Sequence, residues 1–122
     1  MNLQNCRLSL SPVKIDNKCK FGLSHETIAQ ICGVFDSFPE VDAVKIYGSR
    51  AKGNYRRGSD IDLTFTGQDI DLKLINKISC RLDDLLLPYS FDLSIMSHIS
   101  NQDLINHINR VGMMFYKRRA ES

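Results

Sequence analysis

Three aspartates in this 122-residue sequence stand where they could manage phosphate chemistry: Asp60 and Asp62 in Ser59-Asp60-Ile61-Asp62-Leu63, and Asp92 in Phe91-Asp92-Leu93. Alternate residues of an extended strand share a face. Asp60 and Asp62 therefore point one way while Ile61, Leu63 and Phe65 point the other. Asp92 repeats the arrangement, with Ser94 beside it on the polar side and Phe91, Leu93 and Ile95 on the apolar side. Strand rise sets the Cα atoms of Asp60 and Asp62 about 6.5–7 Å apart, so their side chains can lean together around metal ions separated by roughly 3.5–4 Å. Such hard oxygen ligands suit magnesium, which keeps several waters and binds through a few carboxylates plus substrate phosphates. The implied ligand is a metal–nucleotide complex.

The segment before the aspartates supplies the opposite charge. Between Gly48 and Ser59 it carries Arg50, Lys52, Arg56 and Arg57 and no acid. Gly48 leaves room for a phosphate to approach the backbone, and Ser49 offers a hydroxyl and an amide at the start of a helical turn, where N–H groups favour anions. The P-loop pattern G-x-x-x-x-G-K-[ST] is absent. Each piece alone is common: Gly-Ser occurs in many turns, D-x-D arises by chance, and a basic loop is usually solvated. Together they describe one site, with Gly-Ser directly after a strand, ten intervening residues, Asp-x-Asp opening the next strand and an acid on a third.

The elements that must position these residues follow from periodicity. Ile28, Ile31, Cys32, Phe35 and Phe38 recur at three- and four-residue steps after Ser24, a good N-cap, with Glu26 in the first turn, so a helix should begin there and stop before Pro39. Residues 43–47 and 61–65 read as strands on either side of the basic loop. Residues 69–87 read as an amphipathic helix with Leu72, Ile75, Ile78, Leu82, Leu85 and Leu86 on one broad face and Pro88 ending it. Residues 91–95 form the third strand. Ser100 or Asn101 caps a last helix using Leu104, Ile105 and Ile108, Gly112 stops it, and residues 113–116 make a final short strand. Residues 1–20 are set apart as an N-terminal extension with a short strand at 8–13. The expected order, α-β-β-α-β-α-β, makes an α/β (α+β) domain over residues 21–122: a small mixed β-sheet with helices packed on one face.

Composition narrows the function classes. A hydrophobic content of 43% is close to that of ordinary globular proteins, and a single domain of this length buries roughly two thirds of the surface its unfolded chain exposes. The net charge of +2 is too small for a general nucleic-acid binder, so no direct nucleic-acid partner is expected. No apolar run approaches the roughly 18 residues of a membrane span, and the first 20 residues lack the apolar centre of a signal peptide, so no membrane contact and a cytoplasmic location are expected. Cys6, Cys19, Cys32 and Cys80 lack paired spacing and read as reduced thiols, those at 32 and 80 as small apolar helix residues. His25, His98 and His107 read as surface or capping residues.

The run Gly48-Ser49-Arg50-Ala51-Lys52-Gly53-Asn54-Tyr55-Arg56-Arg57-Gly58-Ser59-Asp60-Ile61-Asp62-Leu63 resembles the signature of the DNA polymerase beta-like nucleotidyltransferase superfamily, in its minimal nucleotidyltransferase branch. The likeness extends from about Phe21 through Phe91-Asp92-Leu93 to the closing 112–116 segment. It implies the nucleotidyltransferase (polymerase beta-like) fold and a two-metal, magnesium-dependent transfer of a nucleoside monophosphate to an acceptor hydroxyl. Asp60 and Asp62 would hold the metals, and Asp92 would complete the site beside the acceptor and help deprotonate it. Gly48, Ser49 and Arg57 would bind the nucleotide. Arg50, Lys52 and Arg56 fit the positive context, Arg50 being the last of them to assign to phosphate.

Polymerases of this superfamily carry further domains for primer and template, so nucleic-acid polymerisation is not expected of this chain. Minimal nucleotidyltransferases are typically partnered with a small helical HEPN toxin. The resemblance therefore implies an antitoxin that moves AMP from ATP to a hydroxyl, foremost a tyrosine, of such a partner, in a homo- or hetero-oligomer. Two other readings remain open: a non-catalytic nucleotide-binding antitoxin that neutralises by contact, and a small-molecule nucleotidyltransferase.

Overall fold

Ser24 opens the first helix in the way its side chain suggests: its hydroxyl oxygen accepts the Thr27 amide at 3.1 Å, and α1 runs His25–Asp36. The structure is a computed structural model that describes residues 20–56 and 58–118. The strand expected at 8–13, Cys6, Cys19 and Arg57 lie outside the described residues. After α1 come β1 (Val41–Tyr47), the one-turn helix α2 (Ser49–Lys52), β2 (Ile61–Gly67), α3 (Leu72–Asp83), β3 (Phe91–Ile95), a 3-10 turn (Met96–His98), α4 (Gln102–Val111) and β4 (Met113–Lys117). The expected order of the main elements holds, with α2 and the 3-10 turn added to it.

The four strands form one mixed sheet in the order β3-β2-β1-β4. β1 is antiparallel to both β2 and β4, and β2 is parallel to β3. A parallel pair needs a crossover, and α3 provides it. The apolar face of the sheet (Val44, Ile46, Ile61, Leu63, Phe65) packs against Ile31, Val34 and Phe35 of α1 and Leu74, Ile75, Ile78 and Leu82 of α3. Phe35 and Phe65 meet edge to face at 5.2 Å. α4 reaches the other face: His107 packs edge-on against Tyr47 at 6.2 Å, and Tyr47 lies opposite Asp62 in the sheet.

α3 is shorter than its apolar period suggests, for local reasons. Asp71 caps it by accepting the Leu74 amide at 2.9 Å, while Asp69 stands in the left-handed region (φ 60°), so the helix starts after it. At the other end Leu86 is also left-handed (φ 57°) and 88% exposed, whereas Leu85 and Leu87 still pack on the core. The leucine run thus continues the helix's apolar content without its conformation. Among the described residues no helix is long and apolar enough to cross a membrane.

Candidate active site

Asp62 and Asp92 are register partners on the parallel strands β2 and β3, and Tyr47 is the register partner of Asp62 on β1. Residues directly opposite one another share a face, so Tyr47, Asp62 and Asp92 form one row across the sheet. Asp60 stands exposed in the residue before β2, two positions from Asp62 on the same side. The three sequence-predicted acids are therefore brought to one end of one face. Burial pushes the Asp62 carboxyl above its ordinary range, and the negative charges of Asp92 and Asp60 push it the same way. Each acid is thus within electrostatic reach of Asp62.

Gly48, between β1 and α2, has φ 78° and ψ −155°, a conformation that side chains resist. A Cβ built there would run into Asp62 Oδ2. The room Gly48 leaves is filled by the Asp62 carboxylate, so the glycine shapes the acidic site as well as the loop. Replacing Gly48 with alanine is expected to cost about 1–3 kcal/mol through backbone strain and displacement of Asp62. Denaturant unfolding of the two proteins checks this, and an unchanged midpoint would contradict it.

The basic loop divides into cations with different tasks. Arg50 is 3% exposed. Its Nε and Nη2 donate to the Ser59 carbonyl at 3.2 and 2.9 Å, and its Nη1 donates to the Phe21 carbonyl at 2.9 Å. The rings of Tyr55 and Tyr89 each lie 5.2 Å from its guanidinium carbon. Arg50 is a structural clamp that holds the residue preceding Asp60, and the positive charge read from the loop does not include it. Lys52 and Arg56 are exposed. The Arg56 amide donates to Ser59 Oγ at 2.8 Å, closing the turn ahead of Asp60.

The sequence reading missed Tyr47, which looks like one more apolar strand residue, and misplaced His107. His25 and His98 are exposed, but His107 is half-buried against Tyr47. Burial pushes the Tyr47 phenol up, a hydrogen bond with the Ser94 side chain draws it back, and Asp92 and Asp62 raise it. Among the cysteines, Cys32 is half-buried with its thiol donating to the Phe115 carbonyl at 3.6 Å, while Cys80 is exposed rather than packed as a small apolar residue.

Among the described residues no three His, Cys, Asp or Glu side chains are gathered tightly enough to enclose a cation. Carboxylates facing one another with no positive charge between them repel. The donor set nonetheless fits magnesium: oxygen ligands only, on adjacent strands, with Asp62 raised partly by its acidic neighbours.

Comparison with known proteins agrees with the fold. Among curated proteins none matches the chain in sequence. Among solved structures, one similar chain belongs to a toxin–antitoxin with AMP-PNP, at TM-score 0.60 and 21% identity, covering 77% of this chain and 73% of that one. Another belongs to the tri-AMPylated Shewanella oneidensis HEPN toxin in complex with MNT antitoxin, at TM-score 0.57 and 18% identity, covering 76% and 71%. A third belongs to the toxin–antitoxin MntA-HepT, at TM-score 0.58 and 18% identity, covering 78% and 74%. At these identities the likeness is one of fold. The family of polymerase beta nucleotidyltransferases matches residues 29–121, which takes in α1 from its second turn, the Gly48–Ser49 loop and all three acids. With the greater part of its length matched, the chain belongs to the polymerase beta nucleotidyltransferase family.

Proposed function

We propose that this chain is a magnesium-dependent protein adenylyltransferase, moving AMP from ATP to a hydroxyl of a partner HEPN toxin and acting as the antitoxin of that pair in the cytoplasm. The observation that carries the reading is the register of Asp62 with Asp92, with Asp60 two residues away and Gly48 clearing space beside Asp62. The similar chains in toxin–antitoxin complexes, one with AMP-PNP and one with an AMPylated toxin, support the choice of nucleotide and partner.

Asp60, Asp62 and Asp92 would hold magnesium, which when bound neutralises the triphosphate and favours attack at the α-phosphate. Gly48 and Ser49 present backbone amides and a hydroxyl to the phosphates, and Arg57, with Lys52 and Arg56, supplies positive charge around them. Asp92, on the outer strand of the sheet, stands on the acceptor side and takes the proton of the attacking hydroxyl. The acceptor oxygen bonds the α-phosphorus, the bond from that phosphorus to the bridging oxygen of the β-phosphate breaks, and pyrophosphate leaves.

Mass spectrometry of a co-expressed HEPN partner tests this. Wild type should add one or more AMP masses to the partner. Asp92→Asn should lower transfer at least about a hundredfold with ATP affinity changed only a fewfold, because Asp60 and Asp62 still hold the nucleotide-bound metal. Full neutralisation of the partner with no AMP adduct would favour neutralisation by contact instead.

A further inference from the structure

α1 and α3 cover the face of the sheet opposite the acids, and the outer side of α3 carries charge that the fold itself does not use. Lys73, Lys77 and Arg81 recur every four residues, so they stand along one side of the helix over about 12 Å. All three are exposed, and among the described residues none of them has a carboxylate partner. With Asn76 and Cys80 they line a hollow of about 470 Å³ against Phe38, which is half-buried just after α1. The Arg81 guanidinium carbon lies 5.8 Å from the centre of the Phe38 ring. The ring and the lysine stems make an apolar floor, and the three charged heads stand around it.

The ends of this stripe narrow the choice of ligand. Asp71 precedes Lys73, and Asp83 and Asp84 follow Arg81. A nucleic acid duplex carries a negative charge roughly every 1.7 Å, so one laid along the stripe would run onto those aspartates. A flat anionic membrane would meet them as well. A short protein segment avoids both, by bringing carboxylates to the middle of the stripe and one apolar side chain to Phe38.

We propose that the Lys73-Lys77-Arg81 face docks an acidic segment of the partner toxin, with carboxylates against the three cations and an apolar side chain seated in the hollow over Phe38. The proposal rests on the reading of this chain as an antitoxin with a protein partner. It separates holding from transfer, because the docking face and the acidic row lie on opposite sides of the sheet.

The test uses the full chain with a purified HEPN partner, as wild type, as the double variant Lys77→Glu/Arg81→Glu, and as Asn76→Trp, which fills the hollow and keeps the charges. Both variants should melt like wild type and keep its AMP-PNP affinity. Calorimetry should show partner affinity at least about tenfold weaker in the charge-reversed variant, the low end for close charge pairs across an interface, and weaker in Asn76→Trp as well. Added salt should weaken the wild-type complex more than the charge-reversed one. Alkylation of the Cys80 thiol, read by peptide mass spectrometry, should slow when wild type is in the complex. Unchanged partner affinity in either variant overturns the proposal, as does Cys80 alkylated equally fast with and without the partner. Protection of Cys80 by a single-stranded RNA but not by the partner also overturns it. A complex that needs the stripe but never carries AMP supports the docking face and defeats the proposed transfer activity. A wild type that does not associate with the partner overturns both the docking face and the choice of partner.

Discussion

Asp62→Asn is expected to reduce AMP transfer by at least about a hundredfold, beyond the usual cost of disturbing a metal site's outer shell, while making the metal-free protein more stable. The substitution keeps the size and the strand position of the side chain and removes a charge that faces two others. The folded chain holds the Asp62 proton to higher pH than the unfolded chain does, because burial and then Asp92 and Asp60 raise its carboxyl above the ordinary 3.8. The stability that this protonation contributes is fully present below that ordinary value and is lost as pH rises through the folded one. Wild type should therefore melt below Asp62→Asn at neutral pH, and the gap should close on acidification. With magnesium and ATP the order should reverse, because only wild type offers the full ligand set. Thermal melts across pH, beside a transfer assay, decide it. Normal transfer by the folded variant would remove Asp62 from the site, and a gap that persists in acid would mean that charge is not its cause.

Arg50→Ala is expected to destabilise the chain by about 3 kcal/mol, since hydrogen bonds from a charged donor contribute roughly 1.5–3 kcal/mol each and two part-buried carbonyls would lose theirs. Among the described residues no carboxylate pairs with this guanidinium; its surroundings are the Ser59 and Phe21 carbonyls and the faces of Tyr55 and Tyr89. Lysine cannot reproduce that flat, forked geometry, so Arg50→Lys should recover little of the loss. A phosphate-binding arginine would behave in the opposite way: lysine would keep much of the nucleotide affinity, and stability without nucleotide would be untouched. Denaturant unfolding of both variants without ligand separates the two, and recovery of wild-type stability by Arg50→Lys would show that the clamp is not what matters.

The contrast between Asp62 and Arg50 shows which parts of the site could be read from sequence. Strand alternation is a strict period of two, so placing Asp60 and Asp62 opposite Ile61, Leu63 and Phe65 needed only local reasoning. The N-cap at Ser24 and the strand at Phe91–Ile95 were legible for the same reason. Arg50 is one of four cations in a short run, and nothing in its neighbours separates it from Lys52. Its burial depends on Tyr89, on the far side of α3, and on Phe21, ahead of α1, contacts that become visible only when the chain closes. Tyr47 depends likewise on His107, sixty residues away. The end of α3 misleads for a different reason: Leu85 and Leu87 keep the apolar pattern by packing from a turn, and an apolar period reports burial before it reports conformation.

The direction of β4 offers a practical choice of labelling positions. Met113 lies beside Ile46, one residue before Tyr47, whereas Lys117 lies beside Ala43, near the start of β1. Four residues of strand separate those two levels, about 13 Å, and past them Arg118 is tied to the Val41 and Phe38 carbonyls at 2.9 and 2.8 Å. A fluorophore carried at the exposed Met114, whose partner Lys45 shares the face of Tyr47, would sit on the acidic side of the sheet, where arriving nucleotide changes its surroundings. The same dye at Lys117 would ride on the same strand at the remote end of the sheet, so one strand supplies both the reporter and its internal reference.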